Sequence, residues 1–278
     1  MRLGIDVGGS KIEGALVNDK GIIVDKLRHD TEASKGRKTV LNNILFVAKT
    51  LNNDDVTSIG LGLPGAIDNS GNLVFSTNLP FLNGMNVAKF LENELKKKVK
   101  QENDANCFVW AERRFGAAKG HRNVVGVIYG TGIGAGIVIN GEIYRGTIGA
   151  AGEIGYTIIA NNKSFEELCA GPGIVKRYNE EQGRIENPTA KKIFESKESV
   201  ARRIVDETYK YLGMGFANVI TTLNPEIIVV GGGISNQPIY RRLMLEVGKH
   251  VNPALIKHIS IVQNKLGDSS GVIGAAFL

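Results

Sequence analysis

Short apolar runs alternate with longer stretches of helical periodicity along almost the whole chain. Leu3 to Val7 reads as a strand, and a second apolar run follows it after a glycine-rich turn. Thr39 to Leu51 places its apolar residues at helical spacing, Ser58 to Leu63 is a short apolar strand stopped by Pro64-Gly65, and Val87 to Leu95 is amphipathic again. A further helix is expected from about Ala105 to Gly116. Val124 to Tyr129 then opens a second series of strand, glycine turn and strand. Ser199 to Leu223 is a long helical stretch broken at Asn224-Pro225, Glu226 to Val230 is a buried strand running into Gly231-Gly232-Gly233, and a short helix from Gly271 closes the chain. Alternation of this kind predicts an α/β fold of sheets with helices packed on them.

The two glycine turns, Asp6-Val7-Gly8-Gly9-Ser10-Lys11 and Gly130-Thr131-Gly132-Ile133-Gly134-Ala135-Gly136, have the same strand-turn-strand setting. An offset of 122 matches Gly4 to Gly126, Gly8 to Gly130, Gly14 to Gly136 and Asn18 to Asn140. The shared pattern predicts an internal duplication, with two similar domains facing each other across a cleft. Glycines in such turns admit backbone conformations closed to other residues and aim successive N–H groups at an anion. Ordinary glycine hairpins would give the same local pattern. At 278 residues the chain suits two domains of ordinary size. The expected division is 1–117 with a returning final helix at about 266–278, and 118–265.

Composition removes several classes of function. The net charge of +6 comes from scattered cations, apart from Lys96, Lys97, Lys98 and Lys100 on what reads as a solvated helix end, so nucleic acid is not an expected partner. No apolar run approaches the roughly 20 residues of a membrane helix, and no charged-then-apolar leader opens the chain, so a cytoplasmic protein without a membrane partner is expected. Cys107 and Cys169 form no spaced cluster and read as reduced thiols.

Taken in order, the motifs resemble those of the ROK family of sugar kinases, repressors and related proteins, within the actin-like ATPase superfamily. The resemblance runs nearly end to end. Asp6 to Lys11 is similar to the first phosphate motif, with Ser10 where threonine is usual. Gly60-Leu61-Gly62-Leu63-Pro64-Gly65 and Asn78-Leu79-Pro80 resemble the sugar-side loops, and Glu102-Asn103-Asp104-Ala105-Asn106 the catalytic segment. Gly130 to Gly136 resembles the second phosphate motif, Gly152-Glu153-Ile154-Gly155 a sugar-binding turn, and Gly231-Gly232-Gly233 the adenosine-side turn. The implied fold is two actin-like (ribonuclease H-like) α/β domains with an ATP and sugar cleft between them. The chain opens at the first phosphate motif, without the helix-turn-helix domain of the repressor branch, which points to the kinase branch.

The resemblance implies an ATP- and Mg²⁺-dependent kinase acting on a small-molecule sugar. Such transfer needs charge neutralisation at the phosphates, an aligned hydroxyl and a base for its proton. Asp104 is the implied base; as a residue alone it would equally serve as a helix cap. Asp6 is the implied Mg²⁺ partner, because a carboxylate beside phosphates repels them unless a cation intervenes. Gly8, Gly9, Ser10, Lys11, Gly130, Thr131, Gly132, Gly134, Gly231, Gly232 and Gly233 complete the nucleotide site, with Lys11 equally readable as a solvated hairpin residue. Gly65, Asn78, Asn103, Asp104, Glu153, Tyr156 and Glu166 line the implied sugar pocket, with Glu167 the alternative to Glu166. Glu153 and Glu166 alone would read as surface carboxylates.

Many family members follow Gly-Glu-x-Gly with a histidine and a cysteine cluster that hold a structural zinc, and such a site needs all four ligands. Here Tyr156 and Ser164 stand at two of those positions and no other cysteine lies nearby, so a zinc-free branch is expected. Tyr156 either hydrogen-bonds a sugar hydroxyl or packs in the core. Glucose, phosphorylated at its 6-hydroxyl, is the first expected acceptor and an N-acetylhexosamine (N-acetylmannosamine or N-acetylglucosamine) the nearest rival. A non-catalytic sugar sensor is the reading from a different class. Polyphosphate serves a few relatives as donor, and homodimers are common in the family, although no apolar stripe marks an interface here.

Overall fold

The computed structural model describes residues 1–235 and 239–278. In chain order it forms β1 (Arg2–Val7), β2 (Lys11–Val17), β3 (Ile23–Asp30), α1 (Arg37–Leu51), β4 (Ser58–Leu63), the short pair β5 (Ala66–Ile67) and β6 (Leu73–Phe75), α2 (Val87–Leu95), β7 (Val99–Asn103) and α3 (Asp104–Phe115). There follow β8 (Val124–Tyr129), β9 (Ile133–Ile139), β10 (Glu142–Ile143), β11 (Ile158–Ala160), β12 (Lys163–Ser164), α4 (Phe165–Cys169), α5 (Gly171–Glu180), α6 (Ala190–Glu195) and α7 (Ser199–Leu223). The last elements are β13 (Ile227–Gly231), α8 (Tyr240–Val247), α9 (Pro253–Ile256), β14 (Ser260–Gln263) and α10 (Ser270–Ala276).

One sheet has the order β3-β2-β1-β4-β7 and another β10-β9-β8-β13-β14. In each, the first three strands form a meander and two more strands are added beyond the first, so the duplication inferred from matching glycines is also present in the topology. β1 pairs antiparallel with β2 and parallel with β4, and β8 pairs parallel with β13. No helix among the described residues is long and apolar enough to cross a membrane.

Contacts divide the chain into one unit of Met1–Arg122, Gly136–Gly152 and Lys265–Leu278, and another of Asn123–Ala135 and Glu153–Asn264. This differs from the sequence-based division in one main respect. The segment 136–152 belongs with the first unit, where Arg145 pairs with the buried carboxylate of Glu102.

Strand alternation explains how the first unit presents its chemistry. Residues two apart share a sheet face. Leu3, Ile5, Val7, Ile12, Leu61 and Leu63 lie on the face that α1 covers with Ile44 and Val47. Gly4, Asp6, Glu13, Gly60 and Gly62 therefore lie on the other face, which α10 covers. The glycines there are needed for space: a Cβ on Gly4 would come within 2.0 Å of the Val272 carbonyl oxygen, and one on Gly60 within 1.7 Å of that of Ala275. Gly274 of α10 packs on α3 just as closely: a Cβ there would lie 1.8 Å from the Cys107 carbonyl oxygen. In the second unit Val125, Val127 and Tyr129 of β8, Ile228 and Val230 of β13, and Leu212, Phe216 and Ile220 of α7 form the core.

Candidate active site

In the first unit Asp6, the next-to-last residue of β1, lies opposite Glu13 of β2 and Gly62 of β4. Its carboxylate lies between two glycines: a Cβ on Gly62 would be 3.3 Å from Oδ1, and one on Gly271, at the start of α10, 2.6 Å from Oδ2. Burial first, then the charges of Asp104 and Glu13, push the Asp6 carboxyl up to about 7, with Lys11 pulling the other way. Asp104 and Glu13 thus add to burial in disfavouring the charged form of Asp6, while Glu13 itself is paired with Arg28. A cation at Asp6 would relieve that penalty, and a carboxylate oxygen is a donor that suits Mg²⁺.

α3 starts at Asp104, and its cap is Asn103: Asn103 Oδ1 accepts from Asn106 N at 3.0 Å. The alternative of Asp104 as the cap therefore gives way to its neighbour. Asn103 Nδ2 donates to the Gly65 carbonyl and to Asp104 Oδ1, both at 3.1 Å, and Ala105 N donates to the same Oδ1 at 2.9 Å. The backbone N–H of Asp104 itself is the one further donor to this carboxylate among the described residues. Burial pushes the Asp104 carboxyl up to about 6, against the lowering effect of these hydrogen bonds. Gly65 has φ +123°, and a Cβ there would lie 2.1 Å from the Phe75 carbonyl oxygen, so both backbone and space exclude a side chain. Asn78 is exposed and lies against Gly9 of the first phosphate turn, its Cβ 3.4 Å from where a Gly9 Cβ would be. Ser10 and Lys11 are exposed; the Ser10 carbonyl accepts from Thr31 N at 2.9 Å and Gly8 N closes the turn on the Lys11 carbonyl at 2.8 Å.

The second unit brings the other motifs together. Gly130 N donates to the Gly132 carbonyl at 3.0 Å, Gly171 N to the Gly130 carbonyl at 2.9 Å, and Ile133 N to Glu166 Oε2 at 2.8 Å, while Thr131 is exposed. The turn Gly231-Gly232-Gly233 adjoins it: Gly233 N would be 3.7 Å from a Cβ on Gly130, and Ile234 N donates to the Tyr129 carbonyl at 3.2 Å. Gly232 has φ +92° and would set a Cβ 2.5 Å from that same carbonyl. Gly8, Gly9, Gly130, Gly132, Gly134, Gly231 and Gly233 do not adopt positive φ. The expectation that the phosphate-turn glycines serve forbidden backbone angles is therefore corrected; Gly132 gives room to Glu166 instead.

Glu153 precedes a 3-10 turn, Ile154–Tyr156, and Tyr156 is 63 % exposed, which removes core packing from its two readings. Ser164 caps α4 in a reciprocal box with Glu167, whose Oε2 accepts from Ser164 N at 2.8 Å. Glu167 is committed to that cap, so Glu166 is the carboxylate that reaches the phosphate turn. Among the described residues no group of three metal-ligating side chains gathers.

Several residues of the site were missed in the sequence. Glu102 is 2 % exposed and accepts from Asn103 N, Asn106 Nδ2 and Arg145 Nε. Its place in the catalytic segment was a signal; that of Arg145 was not. Glu13 is bound by Arg28 and Ser269, and a charged residue inside the apolar run of β2 was its signal. Glu112 is fully buried and accepts from Ala117 N, Lys265 N, Leu266 N and Ser270 Oγ, fixing the chain that leads into α10.

Comparison with known proteins places the chain in a family. A family model described as the ROK family matches residues 2–278. The glucokinase of Thermotoga maritima is 30 % identical over 99 % of this chain and 95 % of its own, and the N-acetyl-D-glucosamine kinase of Vibrio cholerae is 34 % identical over 100 % and 99 %. Among solved structures, the ROK hexokinase of Thermus thermophilus superposes with a TM-score of 0.84 at 26 % identity, covering 99 % of this chain and 96 % of that one. With motifs in family order, a duplicated actin-like topology and a match over nearly every residue, this chain belongs to the ROK family.

Proposed function

We propose that the protein is an ATP- and Mg²⁺-dependent sugar kinase, with glucose as first acceptor at its 6-hydroxyl. The observation that carries the reading is Asp104: a first-turn carboxylate with one oxygen held by Asn103 and Ala105, its carboxyl raised to about 6 by burial. A base poised just below neutral pH is ionised at working pH yet basic enough to take a hydroxyl proton. Asp104 Oδ2 receives that proton as the sugar oxygen bonds to the γ-phosphorus and the bond to the ADP oxygen breaks. Asn103 orients Asp104 and ties it to Gly65, so base and sugar-side loop keep a fixed relation. Asp6 would hold Mg²⁺, which when bound offsets charge on the phosphates. Thr131 and Gly132 offer N–H donors to phosphate oxygens, and Gly231 to Gly233 give adenosine close access to the backbone.

Both curated relatives described above are named as hexose or N-acetylhexosamine kinases, and this supports the reaction class more strongly than the acceptor. N-Acetylglucosamine is the second acceptor to test. Zinc independence is part of the proposal: Ser164, at a ligand position of relatives, is used as a helix cap, and metal analysis of the purified protein tests it. The experiment for the main reading is phosphorus NMR of mixtures of protein, MgATP and each sugar. A sugar 6-phosphate signal that disappears with Asp104→Asn supports it; ATP left unchanged with every sugar overturns it.

A further inference from the structure

Glu166 joins three segments of the second unit. Its Oε2 accepts from Ile133 N at 2.8 Å, at the end of the second phosphate turn. The same carboxylate oxygen lies 2.7 Å from where a Cβ on Gly132 would sit, and 3.4 Å from where one on Gly155 would sit. Its backbone is held rigidly. Phe165 beside it is fully buried and donates its N–H to the Thr157 carbonyl at 2.8 Å, and the Ser164–Glu167 box closes the start of α4. The turn is thus anchored at both ends: Gly171 N holds the Gly130 carbonyl, and Glu166 holds Ile133 N. Between these anchors Thr131 and Gly132 donate their N–H groups to nothing among the described residues. Glu166 itself is exposed, and its Oε1 has no hydrogen-bond partner among them.

We infer that Glu166 is a latch between acceptor and nucleotide: one carboxylate oxygen fixes the second phosphate turn through Ile133 N, and the other accepts from a sugar hydroxyl. The inference rests on the kinase reading above and goes beyond a sugar contact, because it makes Glu166 a positioning residue for ATP. A sugar hydroxyl on Oε1 restrains the carboxylate, and the restrained carboxylate restrains the turn whose N–H groups receive the phosphates. Nucleotide affinity therefore rises when sugar is bound, and by linkage sugar affinity rises with nucleotide. A charged acceptor on a backbone N–H is the stronger kind of hydrogen bond, so its loss loosens the turn measurably.

The test is calorimetric titration of the full chain with a non-hydrolysable ATP analogue and Mg²⁺, with and without saturating glucose, for wild type, Glu166→Ala and Glu166→Gln. The expected result is analogue binding weakened about 10- to 100-fold in Glu166→Ala even without sugar, and recovered to within about threefold in Glu166→Gln, which keeps an acceptor oxygen for Ile133. The sugar-dependent tightening of wild type should vanish in Glu166→Ala, and exchange of the Ile133 amide proton should accelerate. Should Glu166→Ala fail to fold, Glu166→Asp, which keeps the charge but falls short of Ile133, must show the same nucleotide defect. Wild-type analogue affinity in Glu166→Ala, with only sugar binding lost, would overturn the latch and leave the kinase reading intact. No analogue binding by wild type would overturn both.

Discussion

Replacing Asp104 with asparagine should cost activity and gain stability, because both follow from one buried carboxylate. Its carboxyl rises from 3.8 to about 6, chiefly by burial. The folded state thus binds the proton more tightly than the unfolded chain. This contribution to stability is complete below the unfolded value near 4 and is lost as pH rises through about 6. Two units at about 1.4 kcal/mol each set an upper bound of about 3 kcal/mol, and solvent access lowers the net figure to about 1 kcal/mol. At pH 8 without ligands, Asp104→Asn should therefore melt about 2–4 °C higher than wild type. At pH 4, where wild type also carries a neutral group, that gain should disappear. Turnover should fall about 10²- to 10⁴-fold, the usual contribution of a general base. In wild type kcat/KM should drop about tenfold from pH 7.5 to pH 5, since a group titrating at about 6 is then mostly protonated. Scanning calorimetry at both pH values and a coupled ADP assay measure all of this. A variant that melts lower at pH 8, or keeps turnover within tenfold of wild type, would refute the reasoning.

Other perturbations have defined outcomes. Asp6→Ala should abolish Mg²⁺-dependent turnover and leave sugar binding by calorimetry within about threefold, because only the metal and phosphate end is touched. Glu112→Ala strips acceptors from Ala117 N, Lys265 N, Leu266 N and Ser270 Oγ and should cost about 3–5 kcal/mol in urea unfolding. Gly274→Ala drives a methyl to 1.8 Å from the Cys107 carbonyl oxygen, so α10 must move off α3. A loss of at least about 2 kcal/mol is expected, measured by the same unfolding. An unchanged midpoint in either variant would contradict the packing described.

The long elements were legible because their periodicity is strong. Ser58 to Leu63, Val87 to Leu95, Val124 to Tyr129 and Ser199 to Leu223 are elements with those same ends. The duplication was legible too, since glycines at 14 and 136 each make room for a helix: Val47 and Leu51 of α1 lie over Gly14, and Ala105 and Val109 of α3 over Gly136. The backbone angles of the phosphate-turn glycines were misread, because an amino-acid type states what a backbone can do and not what it does. Arg145 meeting Glu102 and Glu112 gathering the chain at 265–270 depend on contacts between distant segments that no local pattern encodes. For the same reason, Asp104 could not be relieved of the helix-cap role until Asn106 N was seen on the Asn103 side chain.

The most direct test of the central claim is ADP release from MgATP across glucose, mannose, N-acetylglucosamine and N-acetylmannosamine, with Asp104→Asn run beside wild type. The account predicts release that requires a sugar, is fastest with glucose, and falls at least about 10²-fold in the variant while sugar binding persists. Sugar binding without sugar-dependent ADP release in wild type would contradict it.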